Sequence, residues 1–129
     1  MRLAIANSVI IVLAMIAAQP ASAQQQRRPG SFNAFQSGQD IFRNICQGCH
    51  MPDARGASGA GKYPALASNK NLETAGYPIA VVVKGQKGMP WFGDSLSDAQ
   101  VANVVNYIRS NFGNHYTDAV TPNAVKQQR

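Results

Sequence analysis

The sequence is poor in the residues that several protein classes need. It contains only two cysteines, two histidines and one tryptophan, and its six acidic residues stand against twelve basic ones, for a formal net charge of +6. Between residues 43 and 109 the basic residues are scattered singly and form no dense stripe. This pattern argues against a nucleic-acid binder and favours docking to an acidic protein surface.

The first 23 residues are typical of a secretory signal peptide. Arg2 provides a positive start, residues 9–18 are apolar, and residues 21–23 are small. The apolar run is well short of the roughly 20 residues that span a bilayer, so cleavage after Ala23 is favoured over a retained membrane anchor. We therefore expect a protein exported to the periplasm, with no membrane span after cleavage.

Composition divides the rest of the chain into an arm, one domain and a tail. Residues 24–36 are rich in Gln, Arg, Pro, Gly and Ser and predict a flexible arm with two candidate anchors, Phe32 and Phe35. Residues 37–113 have the helical signals, and their number suits a single core. Residues 114–129 form a polar C-terminal tail.

The clearest element is a helix predicted over residues 97–112. Ser97 is placed as its N-cap, Gln100 completes a capping box, and Gly113 follows where a left-handed residue is favoured. The apolar residues at helical spacing form one stripe: Val101, Val104, Val105, Ile108 and Phe112. The polar side chains predicted to face water are Asn103, Asn106 and Arg109.

The remaining signals also favour helices, which predicts an all-α fold. A first helix starts near Ser37, with Asp40 as an approximate capping partner, and ends just after His50. Residues 77–83 contain three consecutive valines, but no second strand-like run exists to pair with them, so a short helix is preferred over a strand. The other predicted features are a glycine-rich loop at 52–62, a helical turn at 65–68, and a final turn from Thr121 with little apolar surface to fasten it.

Residues 46–50, Cys-Gln-Gly-Cys-His, match the attachment pattern of c-type haem. On a helical turn, residues three and four apart share a face, so both thiols and the imidazole meet one planar ligand. The pattern predicts a single covalent haem c, joined by thioether bonds to Cys46 and Cys49, with His50 as an iron ligand.

Three other uses of these residues compete with haem attachment. A thioredoxin-like thiol pair needs a βαβ framework, which the sequence lacks. A zinc site would have to combine Cys46, Cys49 and His50 with His115, and it has no second Cys-x-x-Cys or His-x-x-x-His pair. A structural disulfide across a two-residue gap would be strained. The motif and the exported setting favour haem over all three.

Met89 is the candidate for the second axial iron ligand. After cleavage the only methionines are Met51 and Met89, and Met51 is adjacent to His50, on the wrong side of the ring. Met89 lies in a loop rich in glycine and proline that is suited to a fixed, extended path. Methionine often only fills a core, but His/Met ligation is the expected pairing for an electron-carrying haem. A haem enzyme or sensor with an open sixth position remains the alternative.

Over residues 37–112 the chain resembles the class I cytochrome c family. Besides residues 46–50, the resemblance rests on Gly38 and Phe42, eight and four residues before the first cysteine, and on Val104 and Tyr107, in the contact made by the C-terminal helix. Met89, Pro90 and Phe92 match the Met-Pro-x-Phe loop of the family. The resemblance implies a mono-haem carrier of single electrons, not an enzyme, with the N- and C-terminal helices packed crosswise.

The same resemblance assigns roles near the haem. Tyr63, Pro64 and Leu66 match the family's Phe/Tyr-Pro-x-Leu segment, so the Pro64 carbonyl is expected to accept the Nδ1 proton of His50. Trp91 and Tyr63 are candidates for contact with a haem propionate, although packing on the haem edge explains them equally well. The finer similarity is to cytochrome subunits and partners of bacterial periplasmic dehydrogenases. It implies a dehydrogenase as electron donor and an oxidase or another cytochrome as acceptor, with the protein either diffusing or fixed in a complex.

Overall fold

The computed structural model describes residues 32–59 and 61–129. The predicted signal peptide and most of the predicted arm lie outside these residues. In chain order the helical elements are α1 (Gly38–Ile41), a π-helical turn (Phe42–Cys46), α2 (Gln47–His50), a 3-10 turn (Lys70–Leu72), α3 (Gly76–Lys84), α4 (Asp98–Ser110) and α5 (Pro122–Lys126). Within the described part of the chain, no helix has the length and apolarity needed to cross a membrane.

The described residues are mostly helical, with one small exception to the all-α prediction. Strands β1 (Ala57–Ser58) and β2 (Lys62–Tyr63) form a two-stranded antiparallel sheet, in which Ala57 pairs with Tyr63 and Ser58 with Lys62. All of the sheet except Tyr63 lies in the segment 52–62, which was predicted to be a glycine-rich loop. Strands of two residues leave no alternating pattern to detect in a sequence.

The predicted helical turn at 65–68 is wrong, because the turn forms at Lys70–Leu72 instead. Ser68 has a left-handed φ of 48°, which interrupts any helix through that residue. Asn69 then acts as the N-cap, and its side-chain oxygen accepts from the Asn71 amide at 2.9 Å. The capping side chain sets the start of the turn.

The first helix begins and ends as predicted. The hydroxyl of Ser37 accepts from the Asp40 amide at 3.0 Å, and the helical path through α1, the π-helical turn and α2 ends at His50. Residues 38–50 are called the motif helix below. The prediction of a helix and not a strand at residues 77–83 is also confirmed, since α3 buries Ile79, Val82 and Val83 on one face.

Helix α4 lies at the centre of the core. The capping box between Ser97 and Gln100 is present in both directions, as predicted. The helix ends at Ser110, short of the predicted residue 112, because Asn111 has an extended backbone, and Phe112 and Gly113 then have left-handed φ values of 58° and 78°. Four members of the predicted apolar stripe, Val101, Val104, Val105 and Ile108, are each at most 5% exposed, whereas the fifth, Phe112, lies beyond the end of α4 and is half-buried.

Two predictions about the C-terminal part are wrong. Arg109 was predicted to face water, but its side chain is fully buried. The tail was predicted to have little to fasten it, yet Val120 and Val125 are buried in the core, and the Thr121 hydroxyl caps α5. A buried guanidinium needs acceptors for its five N–H groups, and the tail supplies some of them.

The described end of the predicted arm lies against the domain. Phe32 and Phe35 pack on the core, and their carbonyl oxygens accept from the buried side-chain amide of Gln100 at 2.9 and 2.7 Å. Gln100 therefore caps α4 through its Oε1 and holds residues 32–36 through its Nε2.

Candidate cofactor site

The two cysteines and the histidine of the motif lie at the C-terminal end of the motif helix and differ in their exposure to solvent. Cys49 is exposed, Cys46 is half-buried, and His50 is only 8% exposed. The cysteines are not joined to each other. Burial, and secondarily the neighbouring Cys49, raises the pKa of the Cys46 thiol to about 12, so the unattached thiol stays protonated at neutral pH.

A π-helical turn leads into the motif and includes its first residue, Cys46. The amide of Gln47 donates to the Phe42 carbonyl, five residues back instead of the usual four. The extra residue changes the angular position of the motif relative to the buried face at Ile41 and Phe42. Such turns often occur at functional sites. The sequence did not predict this turn, because neither proline nor glycine lies between Phe42 and Cys46 to indicate it.

The ring of His50 is fixed by a hydrogen bond from Nδ1 to the Pro64 carbonyl, 2.9 Å long. A carbonyl oxygen can only accept, so Nδ1 has the proton and the lone pair of Nε2 is available to a metal. The resemblance to class I cytochromes c predicted this bond. It joins the motif helix to the segment that follows β2.

Gly56 makes room for that bond. Its φ is +67°, and a Cβ built on it would lie 2.1 Å from the Tyr63 carbonyl oxygen and 2.8 Å from the Pro64 carbonyl carbon. Its amide donates to the His50 carbonyl at 3.0 Å. Any larger residue would push the Pro64 segment away from His50. The sequence indicated only that this region was a glycine-rich loop.

Met89 lies in a loop of defined path, residues 85–93, called the methionine loop below. Gln86 and Met89 exchange backbone hydrogen bonds of 3.1 and 2.9 Å, with Lys87 and Gly88 at the corner of the turn. Lys87 adopts a left-handed φ of 53°. The side chain of Met89 is partly buried and packs against the core.

The two aromatic candidates, Trp91 and Tyr63, are both exposed at the surface. Trp91 is 64% exposed, and its indole N–H donates to the Asp94 carboxylate at 3.2 Å. Tyr63 is 44% exposed and lies in β2, next to Pro64. Three exposed lysines lie close to these aromatic residues in the sequence: Lys62 in β2, Lys84 at the end of α3, and Lys87 in the methionine loop.

The donors present fit a haem better than a bare metal ion. Among residues 32–59 and 61–129, no three or more His, Cys, Asp or Glu side chains are grouped as a metal site. His115 is exposed, beyond the end of α4. Two thiols and one oriented imidazole on a single helical turn match the requirements of covalent c-type attachment. The site residues of the motif, together with Pro64, are thus in one place in the structure.

A family model with the description "Cytochrome C oxidase, cbb3-type, subunit III" matches residues 33–108. The match includes the motif helix, the methionine loop and most of α4. It stops before Arg109 and the C-terminal tail. The match extends over more than half of the chain.

Curated relatives include cytochrome subunits of bacterial dehydrogenases. The "Fructose dehydrogenase cytochrome subunit" of Gluconobacter japonicus is 31% identical over 84% of this chain and 25% of the relative. The "Alcohol dehydrogenase (quinone), cytochrome c subunit" of Gluconacetobacter polyoxogenes is 32% identical over 71% of the chain and 22% of the relative. The protein of the same name from Gluconobacter oxydans is 27% identical over 72% and 22%. The chain spans a quarter or less of the length of each of these relatives.

Proposed function

Because the chain belongs to the cytochrome c family described by the cbb3-type subunit III model, we propose that it is an exported mono-haem c-type cytochrome. Its role is to carry single electrons between a dehydrogenase and a downstream acceptor, and it catalyses no reaction of its own. Export to the periplasm rests on the signal-like residues 1–23 and agrees with the bacterial relatives.

The hydrogen bond between His50 and Pro64 is the observation that supports this proposal most strongly. A Cys-x-x-Cys-His sequence by itself is only a motif. Here the imidazole is nearly buried, and its Nδ1 proton is held by a carbonyl that Gly56 allows to approach. Fixing one nitrogen in this way orients the other as a metal ligand and increases its donor strength.

Four residues would hold the cofactor. Cys46 and Cys49 would form the thioether bonds, and His50 and Met89 would bind the iron. The haem supplies an iron that changes between the ferric and ferrous states. The protein contributes fixed ligands: Pro64 restrains the ring of His50, and the turn between Gln86 and Met89 restrains the backbone of Met89. Restrained ligands need little rearrangement when one electron is gained or lost.

The names of the relatives suggest the electron donor. Several are cytochrome subunits of dehydrogenases, so a dehydrogenase is the proposed donor, and an oxidase or another cytochrome is the proposed acceptor. Cys49 is exposed, which leaves that side of the site open to a partner. Exposed positive charge is supplied by Lys62, two residues before Pro64, and by Lys84 and Lys87, within five residues of Met89. Electron transfer to an acidic partner should then slow as salt rises. A rate independent of salt would exclude this docking role.

A second question is whether the protein diffuses or stays bound to a dehydrogenase. The similarity to dehydrogenase subunits favours a bound subunit, although this chain matches only a small part of each relative. Gentle purification of the native protein answers this. A carrier elutes alone, whereas a bound subunit elutes together with a dehydrogenase.

The direct test is expression of the full chain in a host competent for cytochrome c assembly. A pyridine haemochrome spectrum and an intact mass should show one covalent haem per chain and cleavage after Ala23. The Cys46→Ala, Cys49→Ala double variant should lose the covalent haem. A colourless wild-type protein would contradict the proposal.

Carbon monoxide tests the sixth position. The ferrous wild type should bind it slowly, because Met89 must leave the iron first, whereas Met89→Ala should bind it fast. Met51→Leu is the matched methionine control and should behave as wild type. Fast binding to the wild type would instead favour a haem enzyme or sensor with an open position.

A further inference from the structure

The methionine loop leaves and rejoins the same end of α3. The Gly85 amide donates to the Val81 carbonyl at 2.9 Å, and the Phe92 and Gly93 amides donate to the Val82 and Val83 carbonyls at 2.9 and 3.2 Å. The N–H groups at both ends of the loop are therefore bonded to one helix. The carbonyl groups of Gly93 and Leu96 are bonded instead to a different part of the chain.

Arg129 binds the segment that links the methionine loop to α4. Its guanidinium donates to the Gly93 carbonyl, to the Leu96 carbonyl at 2.8 Å, and to the Asp98 carboxylate at 2.5 Å. One rigid fork thus holds the last residue of the loop and the first residue of α4. Gly93 is fixed on both sides, since its N–H bonds to α3 and its carbonyl to Arg129.

A series of contacts along α4 brings Arg129 to this position. The tail runs from the end of α4 back to its start, and three α4 residues hold it in order. Arg109 donates to the Asp118 carbonyl and carboxylate, both at 2.6 Å. Asn106 exchanges two hydrogen bonds with the backbone of Val120, at 2.8 and 2.9 Å. Asp98, in the first turn, then pairs with Arg129.

We propose that residues 114–129 form a strap along α4 and that Arg129 is a positioning residue for the methionine loop. The proposal rests on Met89 being an iron ligand, as proposed above. None of the three hydrogen-bond partners of Arg129 is Met89, and Arg129 acts by restraining Gly93. Without it, Gly93 is held only by the bond from its amide to the Val83 carbonyl, and Met89 would leave the iron more often.

The test uses the full-length protein with haem attached. Arg129→Gln removes the charge, and Arg129→Lys keeps the charge but loses the fork. Ile41→Val is the control, because it lowers overall stability from the fully buried α1 residue without touching the strap. The measurements are the rate of carbon monoxide binding to the ferrous protein, the near-infrared sulfur-to-iron band of the ferric protein, and amide exchange at Phe92 and Gly93.

For Arg129→Gln we expect carbon monoxide binding about fivefold faster, a weaker sulfur-to-iron band, and faster exchange at Phe92 and Gly93, as for loss of a partly exposed charge-assisted hydrogen bond. Arg129→Lys should give a smaller change in the same direction. Ile41→Val should leave all three measurements near wild type. Equal changes in Ile41→Val and Arg129→Gln would overturn the proposal, because they would reflect general stability.

Failure of the two proposals can be told apart. A wild type that lacks the sulfur-to-iron band and binds carbon monoxide fast would remove Met89 as a ligand, and the positioning role with it. A wild type with a normal band whose Arg129→Gln variant keeps the same band, binding rate and amide exchange would overturn the role of Arg129 alone.

Discussion

The motif helix and the strap both contact α4, but α4 holds them by different kinds of contact. The motif helix is held by shape, because Gly38 lies so close that an added Cβ would be 2.1 Å from the Asn103 carbonyl oxygen. The ring of Phe42 packs on Tyr107 and Phe112, with centroids 5.8 and 4.8 Å apart. The strap buries Val120 and Val125 but is also held by polar side chains that α4 itself supplies, notably Asn106 and Arg109.

The difference teaches which contacts a sequence makes visible. Apolar packing leaves a helical period, so the contact between the motif helix and α4 follows from the pattern of the residues. The residue type of a polar side chain on a helix does not show whether that side chain faces water or donates to a buried carbonyl. The sequence therefore predicted only a polar tail with little apolar surface to fasten its final turn, although α4 binds the strap along most of its own length.

Replacing Arg109 should give the largest loss of stability. The buried guanidinium donates to the Leu72 and Glu73 carbonyls at 2.8 Å and to two oxygen atoms of Asp118. Arg109→Met leaves the carbonyls without donors, and we expect the free energy of unfolding to fall by about 3 kcal/mol. Denaturant titration measures this. The control Arg43→Met, at an exposed position of the motif helix, should change it by less than about 0.5 kcal/mol.

Gly38→Ala should give the next largest loss in the free energy of unfolding. The added methyl group would meet backbone atoms of α4 that cannot move aside, so we expect a loss of about 2 kcal/mol in unfolding free energy despite the better helix propensity of alanine. Gly48→Ala is the matched control, because nothing lies within 4 Å of its added Cβ. The same thermal or denaturant experiment should find it neutral or slightly stabilised. Similar losses for both variants would show that shape does not hold the motif helix.

Asn106→Ala should cost about 1 kcal/mol, through the loss of its two hydrogen bonds to Val120. Asn44→Ala removes an exposed asparagine that bonds only within its own helix, and should have little effect. Amide exchange at Val120 provides a local measurement, since its N–H donates to Asn106. Unchanged exchange in Asn106→Ala would show that the apolar contacts of Val120 and Val125 are enough to hold the strap.

The smallest effect should be a pH dependence from Asp118. The hydrogen bond from Arg109 holds the pKa of the Asp118 carboxyl below its ordinary value of 3.8. A lowered folded-state pKa adds stability that is complete above the ordinary value and is lost as pH falls through the lowered one. The melting temperature of wild type should exceed that of Asp118→Asn at neutral pH. The gap should close in acid, and a gap that widened would contradict this sign.

Much of the candidate site could be predicted from local sequence. The spacing of Cys46, Cys49 and His50 and the cap at Ser37 are signals within a few residues, and the structure places them as expected. The bond from His50 to Pro64 was expected only through the resemblance to a family. The π-helical turn had no signal, and the helical turn at 70–72 was misplaced because it depends on the backbone of Ser68 and Asn69.

The sequence by itself determined the helical periods, the caps and the cofactor motif, because each of these depends on residues close together in the chain. Only the tertiary structure decided that Arg109 is buried and that Arg129 reaches Gly93. Both arginines would be expected in water by their residue type alone. Four of their acceptors are backbone carbonyls 33 to 37 residues away, at Leu72, Glu73, Gly93 and Leu96, and these carbonyls are presented by the fold and not by any side-chain pattern.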